Sequence, residues 1–309
     1  MTQVVIKSVI TLFVLIFLGF LIGKRGMVKK ESIPDFSTLV LSVTMPVTIF
    51  CSISQQDSLE LAGMIWKVML MALIYHIGAM LFGMLIVKIM RIPERESGIW
   101  IFNFMLCNNG FMGLPLALSI FGSTGMFLMA MANVITNLFI FSVGIKFVTR
   151  GCEVSEPISL KKMLVNNINI AVVLGFVFFL GQISLPEAVT DLLGYISDIS
   201  SGLSMLVIGL SLSRMEIREV FMNRRMFVMV FFRLLVIPML VIGVFKLLPF
   251  EVNEMLYVII LLMAALPSAS AQSMIAEQYH ANTEDAGRAV FLTTLFSLVT
   301  IPVVMAVGL

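Results

Sequence analysis

The stretch Asn103-Phe-Met-Leu-Cys107-Asn108-Asn109-Gly110-Phe-Met-Gly113-Leu-Pro115 places three amides, two glycines and a proline inside an otherwise apolar run. It cannot continue as a regular helix. Pro115 removes a backbone donor and frees the carbonyl near Phe111, and the glycines weaken the turn before it. In water such a run is a loop. In hydrocarbon its freed backbone groups must find partners, so the break belongs in a protein-lined cavity. Composition decides between the two. The chain has 309 residues, 60 % of them hydrophobic and 12 % charged, with a mean hydropathy of +1.07. Soluble domains carry about 25 % charged residues. A soluble enzyme, a disordered chain and a disulfide scaffold are excluded, which leaves an all-α polytopic membrane protein. At about 20 apolar residues per span, the chain holds roughly ten spans and no sizeable soluble domain. A net charge of +2 offers no basic surface for nucleic acid.

Outward from the break, apolar segments fall at about 4–23, 36–54, 64–90, 98–121, 124–148, 164–181, 189–212, 226–248, 255–277 and 287–308. In the first, the basic cluster Lys24, Arg25, Lys29 and Lys30 follows the apolar run. A signal peptide has the opposite polarity, so this reads as a retained span with the N-terminus outside. Alternate loops then face the cytoplasm. They hold that cluster; Lys88, Arg91 and Arg95; Lys146, Arg150, Lys161 and Lys162; Arg214, Arg218, Arg224 and Arg225; and Arg288. Sixteen of the 20 basic residues therefore lie on one side, against Lys7, Lys67 and Lys246 on the other, with Arg233 inside a span. This bias supports the span count and places both termini outside the cytoplasm.

Ten spans divide into halves of five, residues 1–150 and 160–309, joined by a polar linker from Arg150 to Pro157. An odd number per half inverts the second relative to the first. The fourth span of each half is broken, because Leu266-Pro267-Ser-Ala-Ser270-Ala-Gln272-Ser273 holds the rank of the opening stretch. Matched Gly/Pro interruptions point to a transporter site near the midplane. The half-helix after each break starts with unpaired N–H groups and a positive dipole end, which favour an anion. Asn108, Asn109, Ser268, Ser270 and Gln272 add donors without net charge. Neutral donors suit a carboxylate that must bind and then leave; a buried Lys or Arg would hold it at greater desolvation cost.

Other polar residues in the spans admit more than one reading. Asn133 and Asn137 share a helix face. Interhelical hydrogen bonding, worth about 0.6 kcal/mol each, and cavity lining are both open to them. Arg233 reads as a side chain snorkelling to the cytoplasmic end of span eight. His76 reads as a packed, hydrogen-bonded residue and Cys107 as a small apolar filler. Asp198 and Glu277 are candidates to carry a coupling proton, and Thr136 to help hold Na⁺. Coupling to H⁺, to Na⁺ or to neither stays open, and no resident cofactor is expected. Cys51, Cys107 and Cys152 have no ligand-like spacing, and two His, His76 and His280, are too few for a zinc site. The 25 methionines form no copper-type cluster. The sequence has no phosphate-binding P-loop, no continuous polar stripe of a channel and no nucleophile–base set of a membrane enzyme.

Asn109-Gly110-Phe111-Met112-Gly113-Leu114-Pro115-Leu116, followed by Phe121-Gly122 and Gly125, resembles the fourth-span motif of the auxin efflux carrier family. Pro46 is similar to that family's second-span proline, and Ala286 to Pro302 to its tenth span. The resemblance covers the whole chain. It implies a ten-helix inverted-repeat fold shared with bile acid sodium symporters, with helices four and nine crossing at their breaks. It also implies a scaffold and a crossover group that move as an elevator. Plant members export auxin; bacterial members are associated with malonate, malate and similar carboxylates. This chain has no long loop between spans five and six, which implies a short prokaryotic permease of the plasma (inner) membrane. Relatives suggest a homodimer. The implied substrate residues are Asn108, Asn109, Pro115 and Pro267. With the polar neighbours above, the expected contacts are Asn108, Asn109, Gly110, Pro115, Asn133, Asn137, Pro267, Ser268, Ser270 and Gln272. No Asn closely follows Pro267, a departure from the plant pattern that favours a small carboxylate. An auxin-like aromatic carboxylate exporter and a sodium-coupled organic anion symporter are the alternatives.

Overall fold

Long apolar runs with few breakers make helices, and punctuation by Gly and Pro sets where they bend. The computed structural model describes residues 2–54, 62–150, 167–214, 223–249, 252–279 and 281–309. Its helices are α1 (Thr2–Lys24), α2 (Lys30–Ser54), α3 (Ala62–Ile89), α4 (Glu94–Met105), α5 (Asn109–Val148) and α6 (Asn167–Leu180). They continue with α7 (Glu187–Ser213), α8 (Arg224–Leu247), α9 (Glu254–Ala265), α10 (Ala271–Gln278) and α11 (Thr283–Gly308). No strand occurs among the described residues. Seven helices are long and apolar enough to cross a membrane, and α6 and α9 are shorter apolar helices. The chain is an all-helical, multi-pass membrane protein. Apolar side chains point outward along it: Val14 on α1, Leu81 on α3, Val173 on α6 and Val299 on α11 are all more than half exposed, as a lipid-facing surface requires.

Prolines shape the helices from within. Pro46, Pro115 and Pro238 each follow a π-turn, at Val40–Thr44, Asn109–Gly113 and Phe232–Val236. A proline ring collides with the carbonyl four residues earlier and offers it no N–H. Widening the preceding turn relieves both problems. At 40 residues α5 would run about 60 Å if straight, twice the hydrocarbon thickness. It does not run straight. Gly122 takes φ 65° and ψ −156°, and two helices meet there at a kink. That left-handed φ is open to glycine and costly for other residues.

The helices pack in two groups. One is α1, α2, α6 and α7. Within it α1 and α7 approach through glycine: a Cβ on Gly19 would lie 2.2 Å from the Leu206 carbonyl oxygen, and one on Gly209 2.0 Å from that of Ile16. Small residues at such a seam let backbones close in and gain van der Waals contact. The second group is α3, α4, α5 and α8 to α11. Its core includes Phe104 on α4 between Phe82 of α3 and Phe232 of α8, with ring centroids 5.7 and 6.4 Å away. The groups meet along α2 and α5 and along α1 and α11.

Candidate functional site

The two breaks lie against each other. Between α4 and α5 the chain is extended at Leu106 to Asn108, and between α9 and α10 at Leu266 to Ser270. The Asn108 N–H donates to the Pro267 carbonyl at 2.9 Å, and the Ala269 N–H to the Leu106 carbonyl at 3.3 Å. This antiparallel bridge, Cys107 to Ser268, is the one β pairing among the described residues. Backbone groups freed by the two breaks thus satisfy each other, as a dry interior demands.

Each broken helix also leaves orphan carbonyls where its first half ends. At the end of α4, the Met105 carbonyl accepts from His76 Nδ1 at 2.8 Å. With its proton there, a neutral His76 uses Nε2 to accept from the Thr136 hydroxyl, 2.9 Å away. Thr136 in turn accepts from Asn109 Nδ2 at 2.8 Å, and Asn109 Oδ1 accepts from the Cys107 thiol at 3.2 Å. Donors and acceptors run one way along the whole chain. At the end of α9, the Ala264 carbonyl accepts from Arg233 Nη1 at 2.7 Å and the Met263 carbonyl from Nη2 at 3.4 Å. Arg233 is fully buried. It does not snorkel as the sequence suggests, because the π-turn that precedes Pro238 carries it inward, where two carbonyls need donors.

A cavity of about 390 Å³ opens beside the crossing. Asn108, Asn109 and Gly110 line it from the start of α5, and Ala269, Ser270 and Ala271 from the start of α10. Asn133, Asn137 and Ile140 of α5 form one wall; Leu41 and Ser42 of α2 and Asn167 and Ile168 of α6 form the facing one. The cavity therefore lies between the two helix groups. Among the described residues, none that lines it is charged. Asn133 is buried, yet among the described residues neither it nor Asn137 has a hydrogen-bond partner, so their amides face the cavity. Asn108 Oδ1 caps its own helix by accepting from the Phe111 N–H at 3.3 Å.

Six of the residues expected at the site therefore come together: Asn108, Asn109, Gly110, Asn133, Asn137 and Ser270. Pro115, Pro267, Ser268 and Gln272 do not line the cavity. Gln272 is buried and spends its amide on α4, donating to the Ile99 carbonyl at 3.1 Å and accepting from Asn103 Nδ2 at 2.9 Å. Ser268 donates from its backbone to Thr293 Oγ1 at 3.2 Å and from its hydroxyl to Gln272 at 3.4 Å. Thr136 lies behind Asn109, one hydrogen bond from the cavity. Asp198 is exposed on α7 and away from it. The Glu277 side chain, His280 and Cys152 lie outside the described residues. Sequence reasoning missed Ser42 and Asn167, since a lone polar residue in an apolar span carries no periodic signal. It also undervalued Cys107, which both lines the cavity and donates to Asn109.

At the end of the molecule where α4, α8 and α11 begin, charged residues gather. Glu96 lies 3.8 Å from Arg225, and Asp285 3.4 Å from Arg288. Arg288 also pairs with Glu284. Burial, then the charge of Asp285, push the Glu96 carboxyl above its usual range, and Arg225 opposes the shift.

The sequence is matched by the family model described as Membrane transport protein, over residues 4–155 and 152–305. It is 27 % identical over 304 residues to an uncharacterized transporter of Methanocaldococcus jannaschii, with 95 % of each chain covered. An uncharacterized transporter of Methanothermobacter thermautotrophicus is likewise 27 % identical, over 301 residues and 96 % of each chain.

Proposed function

This chain belongs to the membrane transport protein family, and we propose that it moves small organic anions of the malonate or malate kind across the plasma membrane. The observation that carries this reading is the convergence of two half-helix starts and the unpartnered amides of Asn133 and Asn137 on one uncharged cavity. Dipole ends and amides stabilise a carboxylate without a covering ion pair, so the anion can leave as readily as it arrives. Family membership and the two transporter relatives support transport over a channel or sensor.

The proposed architecture is ten spans in two inverted halves. Internal echoes support it. The Thr136 and Thr293 hydroxyls each lie within hydrogen-bond distance of the carbonyl four residues back, Ala132 and Ala289. Each also accepts a hydrogen bond from the break of its own half, from Asn109 and Ser268. The spacing from Thr136 to Thr293 equals that from His76 to Arg233, the two caps. Alternating access follows from the cavity's place between two helix groups, one sliding against the other with the crossing as cargo-bearing element.

The apolar wall of Leu41, Phe111, Ile140 and Ile168 favours a second reading, an aromatic carboxylate. Purified protein in liposomes separates the two. Labelled malonate should be taken up saturably, and unlabelled phenylacetate should compete weakly; strong competition reverses the order. Imposed Na⁺ and H⁺ gradients, applied singly, identify the coupling ion. Asn109→Ala combined with Asn133→Ala should abolish uptake while the protein stays monodisperse in detergent. Undiminished uptake by that variant defeats the site assignment.

A further inference from the structure

Arg233 presents a charge that no acidic residue balances among the described residues. Its side chain is fully buried, and a guanidinium stays protonated at any pH a protein survives. Its Nε is shielded from solvent and has no hydrogen-bond partner among the described residues. Ion pairs among the described residues engage Arg150, Arg225 and Arg288, not Arg233. An unpaired interior charge is expensive, and its presence marks function by default.

The helix ends around it make the imbalance countable. An α-helix carries roughly half a positive elementary charge at its start and half a negative one at its end. The crossing gathers two ends, of α4 and α9, and two starts, of α5 and α10. Those four partial charges cancel to about zero. In the first half the cap is His76, whose hydrogen bonds are complete with a neutral ring. In the second half the cap is Arg233, which adds one full unit. The crossing is thus left with about one net positive charge, and among the described residues no Asp or Glu lines the cavity to meet it. Arg233 reaches the crossing through the Met263 and Ala264 carbonyls, just before Pro267, whose own carbonyl accepts from the N–H of the cavity residue Asn108.

We infer that Arg233 is a specificity-determining residue that sets the substrate's charge: the cavity takes a carboxylate bearing one net negative charge, so a malonate-type substrate enters as its singly protonated monoanion. The Arg233 charge offsets the half-charges of the α9 end that it caps and of the α4 end across the crossing, and the two positive starts facing the cavity then require a single anion. It works through the helix ends and makes no contact with the ligand. A dianion would leave one charge uncompensated in a dry site, and a neutral isostere would leave the resident charge unanswered. This rests on the anion site proposed above.

The test uses the full-length protein in detergent and isothermal titration with three isosteres at pH 7.5. These are monomethyl malonate (one negative charge), dimethyl malonate (none) and malonate (two). Wild-type protein should favour the monoanion over the diester by roughly tenfold or more, and over the dianion. Arg233→Gln keeps amide donors for Ala264 and Met263 but removes the charge, and should erase the preference over the diester. Arg233→Lys should retain it, which also covers the case in which the Gln variant fails to fold. Wild-type protein that binds the three alike, prefers malonate or binds none overturns the inference, as does an Arg233→Gln variant with its preference intact. Asn109→Ala reports separately on the site. If it abolishes binding while Arg233→Gln leaves the preference intact, the site reading survives and the charge inference falls. If it has no effect on any ligand, the site reading itself falls.

Discussion

In the break before α5, one orphan carbonyl is met by a neutral ring, His76 on Met105, and the contact continues through Thr136 to the cavity residue Asn109. In the break before α10, two orphan carbonyls are met by a cation, Arg233 on Ala264 and Met263, and no chain of side chains leads from it to the cavity. The backbone problem is the same on both sides, since a half-helix that ends in hydrocarbon must have its last carbonyls accept from something. The solutions differ because the two residues do different secondary work. His76 orders a donor–acceptor relay behind the cavity wall, whereas Arg233 fixes the sign of the local potential.

Removing each cap gives the largest expected effect. His76→Leu strands the Met105 carbonyl, at about 1–3 kcal/mol for a buried group left unpaired, while the Thr136 hydroxyl turns to the Ala132 carbonyl. Thermal unfolding in detergent should show a loss of roughly 1–3 kcal/mol. Arg233→Met also strands carbonyls but relieves the burial of an unpaired charge, so its cost should be smaller by roughly 1–2 kcal/mol. An equal or greater loss in Arg233→Met would show that charge is not what separates the two caps.

The glycines of the first break sharpen the comparison at lower cost. A Cβ on Gly113 would lie 2.9 Å from Leu266 Cδ1 of the other break and 3.2 Å from Asn109 Oδ1. Gly113→Ala should cost about 1 kcal/mol, since a leucine methyl can yield. A Cβ on Gly110 meets nothing within 4 Å and projects into the cavity region. Gly110→Ala should change stability by less than about 0.5 kcal/mol yet weaken malonate binding measured by titration. If both substitutions destabilise alike, the crossing is not packed as described.

The smallest effect concerns the start of α4. Glu96 has a carboxyl held above its ordinary value of 4.5, by burial first and then by Asp285. The native state therefore holds that proton more tightly than the unfolded chain. Its contribution favours folding at low pH and is lost as pH rises from the ordinary value through the raised one. Glu96→Gln should flatten that limb of a stability–pH profile and leave the protein slightly more stable at neutral pH. A profile unchanged by the substitution would place the pH dependence elsewhere.

Much of the site was legible because it is made of rule-breaking residues. Pro115, Pro267, Gly110 and the amides beside them interrupt apolar runs, and interruption in hydrocarbon has few physical explanations. Asn133 and Asn137 were legible as a shared face, with cavity lining and interhelical hydrogen bonding both open, because helical spacing says which residues align and not what they face. Gln272 and Ser268 have the same chemistry as Ser270, yet the fold turns them toward α4 and α11 and leaves only Ser270 on the cavity.

By itself the sequence determined an all-helical membrane protein with two interrupted helices, since 12 % charge cannot clothe a soluble surface and a proline cannot donate to the carbonyl four residues before it. Only the tertiary structure decided that the interruptions touch, that His76 and Arg233 close them, and that Arg233 turns inward. Those outcomes depend on which freed backbone group lies within hydrogen-bond reach of which side chain. That is a matter of distances across the fold, and residue order carries no distances between segments far apart in the chain.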